Sequence, residues 1–225
     1  PSKAPDEDKY GRPAASVQDD VSGPGPLTAC RGTPCQPSLL AVFRRGRLFR
    51  KIVLGLIVLA LLGVGAFYLL TIPRTIGAGD LPPHTADLAN GETMFWAGGC
   101  ESCHAAVDAK GDDVLKLGGG RALTTAFGTF HVPNISPDPE HGIGKWSLAD
   151  FVTAMKFGIA PGGVHLYPAF PYTSYQRMKI EDIIDLKAFM DTLPKVADAS
   201  QPHELPFPFN IRRGVGLWQL RYVDG

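Results

Sequence analysis

Net charge is missing from this chain. Its 22 Lys+Arg balance 22 Asp+Glu over 225 residues. That excludes a generally basic protein and leaves no electrostatic footprint for nucleic acid, so none is expected as a partner. Cysteine is scarce. Four residues are too few for a disulfide scaffold. Internal repeats, Gly-rich phosphate loops, Ser/His/Asp arrangements and paired-carboxylate patterns are lacking. Little of the chain reads as strand. One stretch, Ile52 to Leu70, holds no charge at all, which explains a mean hydropathy of +0.01 despite 20% charged residues. What is plentiful is Gly (26) and Pro (20), about a fifth of the chain, so loops dominate.

The order of composition suggests five parts. Residues 1–43 contain seven prolines between Pro1 and Pro37 and little apolar periodicity. They read as a disordered arm that cannot bury enough surface to offset chain entropy. Cys30 and Cys35 lie there with no histidine following, and read as free thiols. Residues 44–72 are a basic flank and an apolar run. Arg44, Arg45, Arg47, Arg50 and Lys51 precede nineteen uncharged residues. Those span roughly 28 Å as a helix, close to the hydrocarbon thickness of a bilayer. The basic flank orients the N-terminus to the cytoplasm and everything after Pro73 outside. The competing reading is a cleaved signal peptide, with Val64-Gly65-Ala66 as cleavage site. The apolar run continues to Leu70, which favours an uncleaved anchor. Residues 73–84 are a Pro/Gly linker, 85–194 the chemical domain, and 195–225 a strap packing on it through Phe207, Phe209 and Trp218. Residues 52–225 carry 13 basic and 17 acidic side chains, so the zero balance hides a mildly acidic outer part.

Three helices are predicted in the outer part. The first runs from Asp87 toward the cysteines. The second starts at Ser147, with Asp150 completing a capping box and Gly158 a stop. The third runs from Ile180 to Asp191, with Pro194 beyond it.

Cys100-Glu101-Ser102-Cys103-His104 is the strongest signal. Two cysteines three apart can add across the two vinyl groups of a haem, and the histidine directly after them reaches the iron. A zinc half-site would want a second ligand pair, and a thioredoxin-like pair a βαβ context. Neither is visible. One covalent haem c is therefore expected, on Cys100 and Cys103 with His104 as proximal ligand. In bacteria such attachment happens outside the inner membrane, in agreement with the anchor.

The sixth iron position has seven candidates: Met94, Met155, Met178, Met190, His131, His141 and His165. Met94 is too near the attachment motif to reach the opposite haem face. Met155 and Met190 sit on apolar helix faces, where packing suffices as explanation. Met178 follows the turn-rich stretch Tyr167 to Tyr175, whose aromatics, Tyr172 among them, can shield the second face. Met178 is the expected ligand, with His165 and then His131 next. Arg121, Asn134 and Trp146 are candidate donors to the haem propionates. His/Met ligation suits electron transfer, and an open sixth site suits ligand chemistry.

Further pieces carry a family resemblance. They are Gly91-Glu92 before the cysteine motif, Phe127-Gly128-Thr129, Pro133-Asn134-Ile135-Ser136-Pro137-Asp138, Gly142-Ile143-Gly144-Lys145-Trp146-Ser147, Tyr167-Pro168-Ala169-Phe170-Pro171-Tyr172, and Phe207-Pro208-Phe209-Asn210-Ile211-Arg212. Residues 84 to about 221 resemble a haem domain from the cytochrome c subunits of membrane-bound periplasmic dehydrogenases, the alcohol and gluconate type. The resemblance implies a small, loop-rich, all-α cytochrome fold, His104 and Met178 as iron ligands, and electron relay to the respiratory chain. Those subunits usually carry three haem motifs and reach the membrane at the C-terminal end. This chain has one motif and an N-terminal run.

The expectation is a single-pass inner-membrane cytochrome with its haem domain in the periplasm. It would carry single electrons from a periplasmic dehydrogenase or quinol-oxidising complex to an oxidase or soluble cytochrome, with residues 52–70 in lipid. The alternative is a haem enzyme or gas sensor with an exchangeable sixth ligand. A continuation past Gly225 into a further haem domain is also expected, since the chain starts at proline and the strap resembles an inter-domain segment.

Overall fold

A computed structural model describes residues 39–224, with side chains from residue 46 onward. The proline-rich arm and its Cys30 and Cys35 lie outside the described residues. The chain divides into two compact units, 1–53 and 54–225. Helix α1 spans Leu39–Leu70. Its portion Gly46–Leu70, 25 residues with a mean hydropathy of 2.7 over its most apolar 18, is long and apolar enough to cross a membrane. Leu54, Leu56, Leu59, Leu61 and Leu62 are all exposed along it. A surface of that kind marks a membrane or partner contact rather than a water-facing helix.

In the second unit, helix α2 (Leu88–Gly98) begins at Asp87, whose carboxylate accepts the N–H groups of Ala89 and Asn90. Gly99 ends it in the left-handed conformation at φ 63°, a turn that glycine makes without strain, and the single-turn helix α3 (Cys100–His104) starts at once. A short antiparallel hairpin follows, β1 (Ala122–Thr125) on β2 (Gly128–His131). Helix α4 (Leu148–Phe157) carries the expected capping box between Ser147 and Asp150 and stops at Gly158. Strands β3 (Ile159–Ala160) and β4 (Val164–His165) pair next. Helix α5 is one turn, Tyr172–Tyr175. Helix α6 (Ile180–Met190) packs across α2, and helix α7 (Val215–Tyr222) closes the described chain.

Two features differ from the sequence reading. It contains neither hairpin, and it has no helix in the strap, where α7 forms. The strands are two to four residues long and α7 is eight, too short for a local pattern to stand out from loops.

The core is built by Phe95, Leu117, Phe151, Val152, Met155, Ile183, Leu186 and Met190, drawn from α2, α4, α6 and the loop after α3. The segment 73–84 is stitched onto this domain. Ile76 donates its N–H to Thr153 Oγ1 at 3.0 Å, and His84 Nε2 meets Asp185 Oδ1 at 2.7 Å. Beside α7, buried His165 contacts Gln219 through Nδ1 at 2.5 Å and the Thr71 carbonyl through Nε2 at 3.0 Å.

Candidate haem site

Helix α3 sets the geometry. One turn of helix puts Cys100 and Cys103 on the same side, i and i+3. Both are free thiols and half-buried. Burial, assisted by the neighbouring Glu101 charge, pushes the Cys100 thiol up to about 12, so it is protonated in the protein before attachment. The His104 carbonyl accepts Gly119 N–H at 2.8 Å, fixing the chain just after the motif. The His104 ring is fixed by its Nδ1, which lies 2.8 Å from the Pro133 carbonyl. A carbonyl can only accept, so Nδ1 carries the proton and Nε2 keeps a free lone pair. Burial lowers the His104 pKa and outweighs the opposing pull of the Pro133 carbonyl. The neutral imidazole is the form that binds metal.

Nε2 needs something to bind, and a cavity of about 530 Å³ is there. Cys100, Cys103 and His104 line it, together with a wall that is largely apolar. Its size falls within the ~300–1,000 Å³ usual for cofactor pockets. Two thiols, an oriented imidazole and an apolar slot fit a flat, covalently held haem. Among the described residues no group of three or more His, Cys, Asp or Glu could hold a metal ion by itself.

The structure brings some of the sequence-predicted residues together and not others. Asn134 and Trp146 line the cavity. Both amide protons of Asn134 are spent, however, on the carbonyls of Val196 at 2.7 Å and Asp198 at 2.9 Å. Asn134 therefore clamps the strap instead of donating to a propionate. Arg121, Tyr172 and Met178 are not among the cavity-lining residues. Tyr172 is fully buried behind the wall, its ring against Gly158 and its hydroxyl donating to the Leu166 carbonyl at 3.2 Å. Burial pushes that phenol up to about 12. Arg121 sits just before β1, its Nε buried without a protein partner. Met178 packs against the edge of the hydrophobic core, while its carbonyl accepts from Lys156 Nζ at 2.9 Å.

Of the other sixth-ligand candidates, Met155, Met190, His131 and His141 line the cavity, and Met94 and His165 do not. His165 has both ring nitrogens engaged elsewhere. The sequence reading missed Ser200, His203 and Arg212, three strap residues on the cavity wall. No periodicity or spacing marks them, because they reach the site through the fold.

Residues 88–194 match the cytochrome c family model. This domain is a cytochrome c fold, about half helical with two small hairpins, and it implies covalently bound haem c and electron transfer. Similar proteins bear this out. The chain is 57% identical over 136 residues to "Diheme cytochrome c-type" of Cereibacter sphaeroides, covering 60% of this chain and 46% of that one. It is 38% identical over 138 residues to the fructose dehydrogenase cytochrome subunit of Gluconobacter japonicus, 61% of this chain and 28% of that subunit. It is 33% identical over 137 residues to the cytochrome c subunit of the quinone-dependent alcohol dehydrogenase of Gluconobacter oxydans, 60% of this chain and 28% of that subunit. The matched stretch thus spans less than half of each relative.

Proposed function

We propose that this chain is a membrane-anchored c-type cytochrome that carries single electrons from a dehydrogenase or quinol-oxidising complex to an oxidase or soluble cytochrome. The observation that carries the reading is His104, held through Nδ1 so that Nε2 is free, on the wall of a largely apolar cavity beside two thiols. Anchoring is supported by the apolar stretch Gly46–Leu70 and the basic residues before it. The donor class is supported by relatives named as cytochrome subunits of dehydrogenases. The same basic flank supports an orientation with the arm in the cytoplasm and the haem domain outside, which for a bacterial inner membrane is the periplasm.

Haem, when bound, supplies reversible one-electron chemistry. The chain's own residues do the rest. Cys100 and Cys103 hold the group, the Pro133 carbonyl orients His104, and the apolar wall excludes water. Met155 is our choice for the sixth ligand in place of Met178. It lies in the last turn of α4, three residues before Gly158, which contacts Tyr172 and accepts Leu166 N–H at 2.8 Å. Met155 lines the cavity, and its helix is joined through Gly158 to the 166–172 segment. Met190 also lines the cavity, at the end of α6. Six residues on, the Val196 carbonyl is held by Asn134, the neighbour of Pro133, on the side of His104. His131 precedes Pro133 by two residues and shares that side. A thioether ligand raises the potential, as a relay wants.

The test uses the oxidised holoprotein, where sulfur-to-iron ligation gives a weak near-red band. Met155→Ala should abolish the band and lower the potential, and Met178→Ala should keep both. The opposite pattern would return the role to Met178. Rapid stoichiometric carbon monoxide binding by the reduced wild type would instead favour the exchangeable-ligand reading.

A further inference from the structure

Residues 195–225 lie beyond the stretch matched to cytochrome c, yet they help to close the cavity. The strap is fastened residue by residue. Asn134 holds the Val196 and Asp198 carbonyls, and Asn134 N–H donates to Ser200 Oγ at 2.9 Å. Thr129 and Glu204 exchange backbone hydrogen bonds of 3.0 and 2.9 Å. His131 N–H donates to His203 Nδ1 at 3.1 Å. So much fastening for an irregular segment calls for a reason beyond covering apolar surface.

The polar groups along it supply one. His203 accepts on Nδ1, so its Nε2 carries the proton and is a donor. Arg212 stacks on the Tyr167 ring with its Cζ 4.7 Å from the centroid, and uses Nη1 on the His165 carbonyl at 3.3 Å. Its remaining N–H groups are left for another acceptor. His131 is 8% exposed, with Nε2 on Glu204 Oε1 at 3.2 Å. Its Nδ1 is buried without a partner. A buried polar atom left so costs about 1–3 kcal/mol, which makes an absent ligand group the economical explanation. All three side chains line the cavity, and among the described residues Arg212 is the one Arg or Lys that does.

They also share one end of it. Phe130, Tyr167 and His203 form a mutual ring cluster with centroids 5.4 Å apart. Tyr167 begins the 167–175 segment. Tyr175, at its far end, donates to the Gly98 carbonyl at 2.7 Å, close in sequence to Cys100. A haem attached at Cys100 and Cys103 through its vinyl edge turns its two carboxylates to the opposite end. Anions there need charge-assisted donors.

We infer that Arg212, His203 and His131 receive the haem carboxylates, so that the strap is an integral wall of the cofactor site. This rests on the haem reading above. Arg212 contributes a forked donor set and a fixed positive charge, and His203 contributes Nε2–H. A haem carboxylate would give His131 Nδ1 the partner it lacks.

The experiment compares full-length holoproteins of wild type, Arg212→Leu, Arg212→Lys, His203→Gln and Arg213→Leu. Arg213 makes the control. It removes the same charge but bonds Thr71 Oγ1 at 2.9 Å and the Tyr68 carbonyl at 3.0 Å, off the cavity wall. Resonance Raman propionate-bending bands and the midpoint potential are read for each. Arg212→Leu should shift the bands and lower the potential, because a lost cation disfavours the more negative reduced haem. Arg212→Lys should recover the potential, His203→Gln should shift the bands, and Arg213→Leu should alter neither readout. Bands and potentials unchanged in Arg212→Leu and His203→Gln, with only a fall in thermal stability, would make the strap a brace and overturn the proposal. If wild-type haem extracts freely in acid acetone, the covalent-haem reading itself fails, an outcome distinct from unchanged bands on normally attached haem.

Discussion

Asp185 shows how one side chain can hold two elements together. It sits on α6 with its side chain 4% exposed. Its Oδ1 accepts Asp87 N–H at 2.8 Å and meets His84 Nε2 at 2.7 Å, and its Oδ2 accepts Asn90 Nδ2 at 2.8 Å. Burial alone would raise this carboxyl. The Asn90, Asp87 and His84 donors overcome it and hold the pKa below the ordinary Asp value. A depressed folded pKa contributes stability that is present above the unfolded value and lost as pH falls through the folded one. Asp185→Asn should therefore destabilise the domain by about 1–3 kcal/mol near neutrality. In urea unfolding, the gap between wild type and variant should narrow as pH drops below the usual carboxylate range. A gap that holds constant into strong acid would show that charge is not what this residue provides.

At the scale of elements, α2 and α6 cross in close backbone contact. Gly91 lies there, and a Cβ on it would overlap the Asp185 carbonyl and crowd Phe189 Cβ. The backbones meet because glycine leaves room, as an interior of near-crystalline density demands. Gly91→Ala should cost about 1–3 kcal/mol by overpacking. It should lower the melting temperature of the holoprotein while leaving the thioether attachment and the near-red band intact. Loss of the band at temperatures well below melting would mean the crossing also positions the haem ligands. Helices α2, α4 and α6 are legible in the sequence because their caps and periods are local. Ser147-Leu148-Ala149-Asp150 announces α4 before any fold is known. Helix α7 is not legible, and neither are the two hairpins. Strands of two to four residues and an eight-residue helix that starts beside Gly214 and contains Gly216 have too little local pattern to stand out from loops. The site divides in the same way. Cys100, Cys103 and His104 form one local pattern. Met155, His203 and Arg212 become site residues only when α4 and the strap fold over the cavity. Met178 looks apt from its proline-pinned neighbourhood, but position along the chain does not reveal which wall a side chain faces.

Across the whole molecule, the distribution of charge and apolar surface bears on topology. Arg44, Arg45, Arg47, Arg50 and Lys51 gather in eight residues, while residues 52–225 carry a net of −4. The uncharged nineteen residues between are long enough to cross the hydrocarbon core once, at ~1.5 Å per residue. Basic residues resist export, so in the proposed topology the arm stays in the cytoplasm and the haem domain lies outside. The end of the span is itself secured. Arg213 stacks on the Tyr68 ring at 4.6 Å and bonds the Tyr68 carbonyl and Thr71 Oγ1, meeting the helix carbonyl end with a cation. A helix so tied has a fixed exit, which would keep the haem domain close to the bilayer surface where a membrane dehydrogenase could reach it. Protease added to intact spheroplasts should therefore digest the haem domain and spare the basic arm, and carbonate washing should leave the haem in the membrane fraction. Protection of the haem domain with loss of the arm would invert the topology. Soluble haem protein beginning at Phe67 would mean that the apolar run acts as a cleaved leader, in which case the Arg213 contact to Tyr68 would survive as an N-terminal clasp and the tether would not.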